Sequence, residues 1–378
     1  MDLLRFFTFR RVARALYGVV VAMIVAEIGL AVFYKQEEAL QRDLVQRDPS
    51  VGFRMVPHYD GKLLHTNIPL RTNSWGFRDD REFGEPPADG LRVLALGDSM
   101  VFGQGVSVEE TYPHYLEEIL RAQLGVPVEV INAAVPGYGT TQEAVLFEQM
   151  VDVVKPDMVL LSISVFNDVS DNLKFHEQLH RWQGERSTAR KIRWFFRHNS
   201  QIYILLRRYR AGVSGYEMMQ IHSRQPSPRT LEGLGLIEQS IDRIQQIAAA
   251  RGIAFGVIIN PTHKQTSAEV WSETISKYQL KENEFGYDQP NRRLLDYAAE
   301  HGVPVLDLLP IFRARPGETF YYTEHWKAPG HRLVAQEVGR FIRDRGLLAK
   351  AESRRRNPAV AAAPASEPAV AGGSAAER

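Results

Sequence analysis

From residue 91 to residue 345 the chain alternates short, almost unbroken apolar runs with longer stretches of helical spacing, and few folds accommodate that alternation. The run at 92–97, Arg-Val-Leu-Ala-Leu-Gly, has strand length and apolar character throughout, as a strand buried on both faces requires. At 109–124, Tyr112, Tyr115, Leu116, Ile119 and Leu120 fall on one side of a helix. A second strand at 126–131, a helix at 140–154 and a third strand at 157–165 continue the pattern. After an interruption it resumes with a helix at 231–251, a strand at 253–259, a helix at 290–301, a strand at 303–308 and a closing helix at 329–345. Such alternation predicts a three-layer α/β/α domain with a five-stranded parallel sheet and helices on both faces.

Outside that region the composition changes. Residues 15–33 form a run of 19 with a single charge, Glu27, and Arg5, Arg10, Arg11 and Arg14 precede it. At ~1.5 Å per residue a helix of that length spans roughly 28 Å, close to a hydrocarbon core. The basic flank predicts an N-terminus held in the cytoplasm and a single-pass anchor in the inner membrane, with the rest of the chain facing the periplasm or cell exterior. A cleavable signal peptide competes with this reading, but no small-x-small cleavage site stands out. The expected organisation is a cytoplasmic N-terminus and anchor over 1–34, an extension over 35–90 and a main domain over 91–348. The main domain carries a helical insertion at 172–230, and a tail at 349–378, rich in Ala, Pro, Ser and Gly, is predicted to be disordered. Within the insertion, 190–210 holds seven Lys or Arg and no acid, interleaved with aromatics; a surface helix pair, a cleft wall and a lipid-facing helix are the readings open to it.

The formal net charge of +1 offers no field for nucleic acid. The absence of cysteine excludes disulfides, a catalytic thiol and cysteine-ligated metals.

Residues able to do chemistry cluster just after the predicted strands, where open α/β sheets carry reactive groups. The first strand ends in Gly97-Asp98-Ser99, the second leads to Asn132 and Pro136-Gly137-Tyr138-Gly139, and the third to Phe166-Asn167-Asp168. His325-Trp326-Lys327-Ala328-Pro329-Gly330-His331 follows the fifth. Position 101 is Val, so this is not the Gly-x-Ser-x-Gly elbow.

This ordered set resembles the Ser-Gly-Asn-His (SGNH, GDSL-type) hydrolase superfamily over roughly 91–345, whose fold is flavodoxin-like. The resemblance implies an acyl-ester hydrolase with Ser99 as nucleophile and His325 as base. Backbone N–H of Ser99, backbone N–H of Gly137 and the Asn167 amide would form the oxyanion hole, and no metal or cofactor would be required. His331 is the rival base and His263 a distant third. The family's aspartate, two or three residues before the histidine, is replaced by Thr323 and Tyr322, so Glu324 is the nearest candidate acid. Asp307 is an outside candidate, and Asp98 reads as a stabiliser of the turn around Ser99. Anchored members of this kind point to O-acetyl groups of cell-surface polysaccharides as substrates. An acyltransferase on the same site and a non-catalytic envelope scaffold are the alternatives. A remote one is a zinc protease, because His176-Glu177-Gln178-Leu179-His180 matches His-Glu-x-x-His, although its polar flanks suggest a solvated face.

Overall fold

The computed structural model describes residues 2–33, 42–63, 66–184, 200, 202–203 and 218–349, the side chains of 2–13, 31–33, 42, 165 and 180–184 aside. The predicted tail and most of the basic aromatic stretch at 190–210 lie outside the described residues.

Five parallel strands form the central sheet: β5 (Leu91–Leu96), β6 (Val128–Asn132), β7 (Met158–Ile163), β8 (Ala254–Ile259) and β9 (Val305–Asp307). Their spatial order is β6-β5-β7-β8-β9. From β5 the chain builds outward first to β6 and then, on the other side, to β7, so the switch point lies between β5 and β7 and opens a crevice at their carboxyl ends, the usual position of a ligand site in such sheets. Every residue of β5 and of β7 is buried, which is why both read as continuous apolar runs. The edge strand β9 is half-buried and pairs with β8 over Val305, Leu306 and Asp307, shorter than its apolar run suggests.

Two helix groups cover the sheet. Helix α3 (Tyr112–Leu124) packs on the closing helix α11 (Ala328–Asp344), and Gly339 permits the approach, since a Cβ there would lie 2.8 Å from Ile119. Helices α4 (Thr140–Val154), α5 (Val165–Gly184) and α6 (Pro228–Arg251) pack on one another. α3 and α6 end at glycines in the left-handed region, Gly125 and Gly252.

Residues 42–90 do not form a detached extension. Strands β1 (Val45–Asp48) and β2 (Gly52–Met55) make one antiparallel hairpin, and β3 (Asp60–Lys62) and β4 (Pro69–Arg71) another. Leu44, Val51, Met55, Leu63, Leu70, Phe77 and Phe83 enter the same apolar core as the sheet.

Helix α1 (Asp2–Phe33) takes in the apolar run at 15–33. Among the described residues no helix is long and apolar enough to cross a membrane. The part of α1 with described side chains runs from residue 14 to residue 30. It is nonetheless apolar and open to its surroundings, with Leu16, Tyr17 and Val25 each at least 60% exposed. Glu27 accepts hydrogen bonds from the Ser200 hydroxyl (3.0 Å) and the Ile202 amide (3.2 Å).

Candidate active site

The turn after β5 is built around Asp98. Its backbone is extended and its carboxylate caps the one-turn helix α2 (Ser99–Phe102), accepting from the Met100 amide at 2.9 Å. The same carboxylate accepts from the Ser164 hydroxyl (3.1 Å) and from Nδ2 of Asn167 (3.2 Å). It therefore ties the end of β5 to the end of β7. Helix α2 stops at Gly103, whose φ of 85° requires glycine. The buried Arg78 guanidinium then donates to the carbonyls of Phe102 (2.7 Å), Gly103 (2.7 Å) and Val106 (2.6 Å). Burial pulls its pKa down to about 10, against the opposing field of Glu109.

Gly137 sits after β6 with φ of 82°, a left-handed conformation that strains any other residue. Its turn closes with the Tyr138 amide donating to Val135 (3.1 Å), and the Tyr138 hydroxyl donates to the Phe53 carbonyl of β2. Asn167 lies in the first turn of α5, not in a loop, and its bond to Asp98 fixes which side of its amide carries the NH2 group. One N–H faces the carboxylate and the second remains to donate elsewhere.

His325 comes from a small hairpin, β10 (Tyr321–Tyr322) and β11 (His325–Trp326), in which Tyr322 pairs with His325. Thr323 turns the hairpin with φ of 49°. Trp326 is fully buried, and the Lys327 amide donates to the Phe320 carbonyl at 2.7 Å. This places His325 Nε2 2.8 Å from Ser99 Oγ, across 226 residues of sequence. Burial pushes the His325 pKa below its usual 6.5, outweighing the pull of Asp98 and Glu324 toward the charged form. The imidazole is thus neutral near pH 7, able to accept a proton.

The structure brings Ser99, His325, Asn167 and the Gly137 turn to one rim, but it leaves Glu324 out. The Glu324 carboxylate forms an ion pair with Lys264 and is half exposed. Glu324 lies in the turn of this hairpin, and its carboxylate is committed to Lys264. No described residue hydrogen-bonds Nδ1 of His325. Asp307 is occupied by Asn291 Nδ2 (2.7 Å) and the Leu309 amide (3.0 Å). His331 is fully buried in α11, accepts from the Tyr112 amide at 3.2 Å and has its pKa pushed down to about 3 by burial. It joins α11 to α3 and does not face the rim. His263 stacks on Tyr321 at 5.4 Å. In the His-Glu-x-x-His match, Glu177 pairs with Arg229 at 2.6 Å, and among the described residues no group of three His, Cys, Asp or Glu is placed to hold a metal. The side chain of His180 is outside the described set.

Sequence reasoning missed the acidic layer beneath the rim. Glu143 on α4 and Asp168 on α5 are buried, and burial raises both pKa values well above the carboxylate range, with mutual repulsion and the nearby Asp98 adding to it. Neither Glu143 oxygen has a hydrogen-bond partner, and Asp168 accepts from the Ser164 amide (2.8 Å) through one oxygen. Both occupy helix first turns, where acids are ordinary, so the sequence carries no sign of their burial.

Residues 95–333 match the model of the GDSL-like lipase/acylhydrolase family. Among solved structures, a lipase/acylhydrolase from Enterococcus faecalis is 16% identical, covering 68% of this chain and 96% of its own, with a TM-score of 0.39. A catalytic mutant of an acetylxylan esterase from Geobacillus stearothermophilus is 16% identical, covering 67% and 94%, with a TM-score of 0.39. A psychrotrophic esterase from Pseudoalteromonas sp. is 10% identical, covering 67% and 97%, with a TM-score of 0.36. No curated protein matches the chain. The family match runs from inside β5 to the first turns of α11 and takes in Ser99, Gly137, Asn167 and His325: the chain belongs to the GDSL-like lipase/acylhydrolase family.

Proposed function

We propose that the protein is a carboxylic ester hydrolase working through an acyl-Ser99 intermediate. The observation that carries this reading is the 2.8 Å approach of His325 Nε2 to Ser99 Oγ. In the first half-reaction Ser99 Oγ attacks the ester carbonyl while its proton passes to His325 Nε2. The carbonyl oxygen, now negative, accepts from the backbone N–H of Ser99 and of Gly137 and from the free N–H of Asn167. Each such donor contributes about 3–4 kcal/mol to the transition state. Collapse breaks the C–O bond, and the His325 proton goes to the departing alkoxide. Water then attacks the acyl ester while His325 takes its proton, and as the C–Oγ bond breaks His325 returns that proton to Ser99 Oγ, releasing the acid and free Ser99. No step calls for a metal or cofactor.

The hairpin supports His325 in place of a carboxylate, so Glu324 is read as a rim residue and not as the triad acid. O-acetyl groups of a cell-surface polysaccharide are the substrate class we favour. We also propose that α1 tethers the domain to the inner membrane with the catalytic rim outside. Its exposed apolar side chains and the arginines ahead of them support this placement. The test is labelling of the full-length protein with a fluorophosphonate probe. The proposal expects a covalent adduct on Ser99, none in Ser99→Ala, and no turnover of p-nitrophenyl acetate by that variant. Undiminished turnover by Ser99→Ala would overturn it.

A further inference from the structure

Beside Asn167 the rim holds a small pocket whose lining includes the sequence neighbours of Ser99 and His325, though neither of those two itself. Met100 follows Ser99 and Glu324 precedes His325; Phe166 and Asn167 come from α5, Asn260 and Pro261 from the end of β8. The pocket leaves about 20 Å³ for the centre of a water-sized group. One water needs about 10–15 Å³ on this measure, so one or two non-hydrogen atoms fit.

Two features keep the pocket short. The ring of Phe166 lies under the Lys264 ammonium, 4.7 Å from the ring centroid, and Lys264 is held in turn by its ion pair with Glu324. Phe166, Lys264 and Glu324 thus make a stack drawn from three separate elements, of which Phe166 and Glu324 line the pocket. On the inner side, Met100 is 6% exposed and Asn260 2%. The side-chain carbonyl of Asn260 has no hydrogen-bond partner, so a hydrocarbon chain laid along this wall would leave a buried acceptor against methylenes.

Resting on the reading of Ser99 as nucleophile, we propose that this pocket receives the acyl side of the ester, and that Phe166, held by the Lys264–Glu324 bridge, limits that group to acetyl. Phe166 is a specificity-determining residue, and the ion pair is its positioning device.

The experiment compares kcat/KM of the full-length protein on p-nitrophenyl acetate, butyrate and hexanoate. Methylenes that a pocket cannot house are each worth about tenfold or more, so acetate should exceed butyrate by at least that factor, and hexanoate should be poorer still. Phe166→Ala should raise the butyrate-to-acetate ratio about tenfold while Ser99 still labels with the fluorophosphonate. Lys264→Met, which frees the ring without removing it, should raise the ratio by a smaller factor, and it serves if Phe166→Ala does not fold. Efficient hexanoate turnover by the unaltered protein would overturn the proposal, as would labelled variants with an unchanged ratio. A protein that fails to label at Ser99 defeats the underlying hydrolase reading instead, so the two failures are told apart.

Discussion

Around Ser99, Asp98 accepts from Met100, Ser164 and Asn167, and Arg78 binds three carbonyls of the segment that follows, so the nucleophile turn is fixed by hydrogen bonds from several elements. Around His325 there is a two-residue strand pairing, one backbone bond to Phe320 and the buried ring of Trp326, stacked on Phe312 at 6.1 Å. One half of the dyad is held by charge-assisted bonding and the other by packing. A turn with unpaired carbonyls needs polar partners, whereas a hairpin that already satisfies its own backbone can be placed by one aromatic wedge. The cost falls on the imidazole, which has no carboxylate to choose its tautomer.

That contrast can be broken or sharpened in four ways. His325→Ala should lower kcat by ~10⁴-fold or more on p-nitrophenyl acetate, because no second base reaches Ser99. Arg78→Met should leave the buried carbonyls of Phe102 and Val106 without donors and cost about 3–5 kcal/mol, read as a shift in the denaturation midpoint. If the loss is under 1 kcal/mol by the same measure, the polar side is less dependent on bonding than its geometry implies. The pH profile of kcat/KM should rise along an acidic limb below 6.5, since burial keeps His325 neutral to lower pH than an exposed histidine. A limb above that value would mean that a carboxylate acts on the ring after all. Glu324→Gln should change kcat/KM by less than about threefold, the size expected when a half-exposed ion pair is lost. A fall near that of His325→Ala would restore Glu324 as the acid.

The acidic layer adds a prediction about stability. Glu143 has a raised pKa in the folded protein and an ordinary one near 4.5 when unfolded. Above that lower value the unfolded chain releases a proton that the folded chain retains, so stability falls as pH rises toward the folded pKa. Glu143→Gln removes this penalty. It should raise the melting temperature at pH 8 more than at pH 5, and an equal shift at both would count against a protonated carboxyl.

The strands of the sheet were legible because burial on both faces leaves them almost wholly apolar, Arg92, Asn132 and Ser162 aside, and the long amphipathic helices because one face must meet that sheet. The hairpins of 42–90 were not. Their strands are three or four residues long and hold Arg54, Asp60, Lys62 and Pro69, so neither period nor propensity rises above that of a loop. The helix at Ala268–Lys277 and the short turn at Leu309–Arg313 escaped for the same reason of length. At the site, parallel topology sends the ends of the strands to one rim, and the resemblance to the SGNH set singled out Ser99, Gly137, Asn167 and His325 among the residues there. Spacing could not reveal the Lys264–Glu324 pair or the Asn260 acceptor, because partners from distant loops leave no periodic trace. His331 could have been set aside earlier, as it shares a helix face with Val334, Ala335 and Val338.

The shared core of 42–90 has a practical consequence for releasing a free enzyme. A protease or a cloning boundary placed at 91, where the family-like pattern begins, would strip Leu44, Val51, Leu70 and Phe77 from the apolar interior and remove Arg78 with them. Shedding without unfolding requires a cut ahead of residue 42, where β1 has not yet begun.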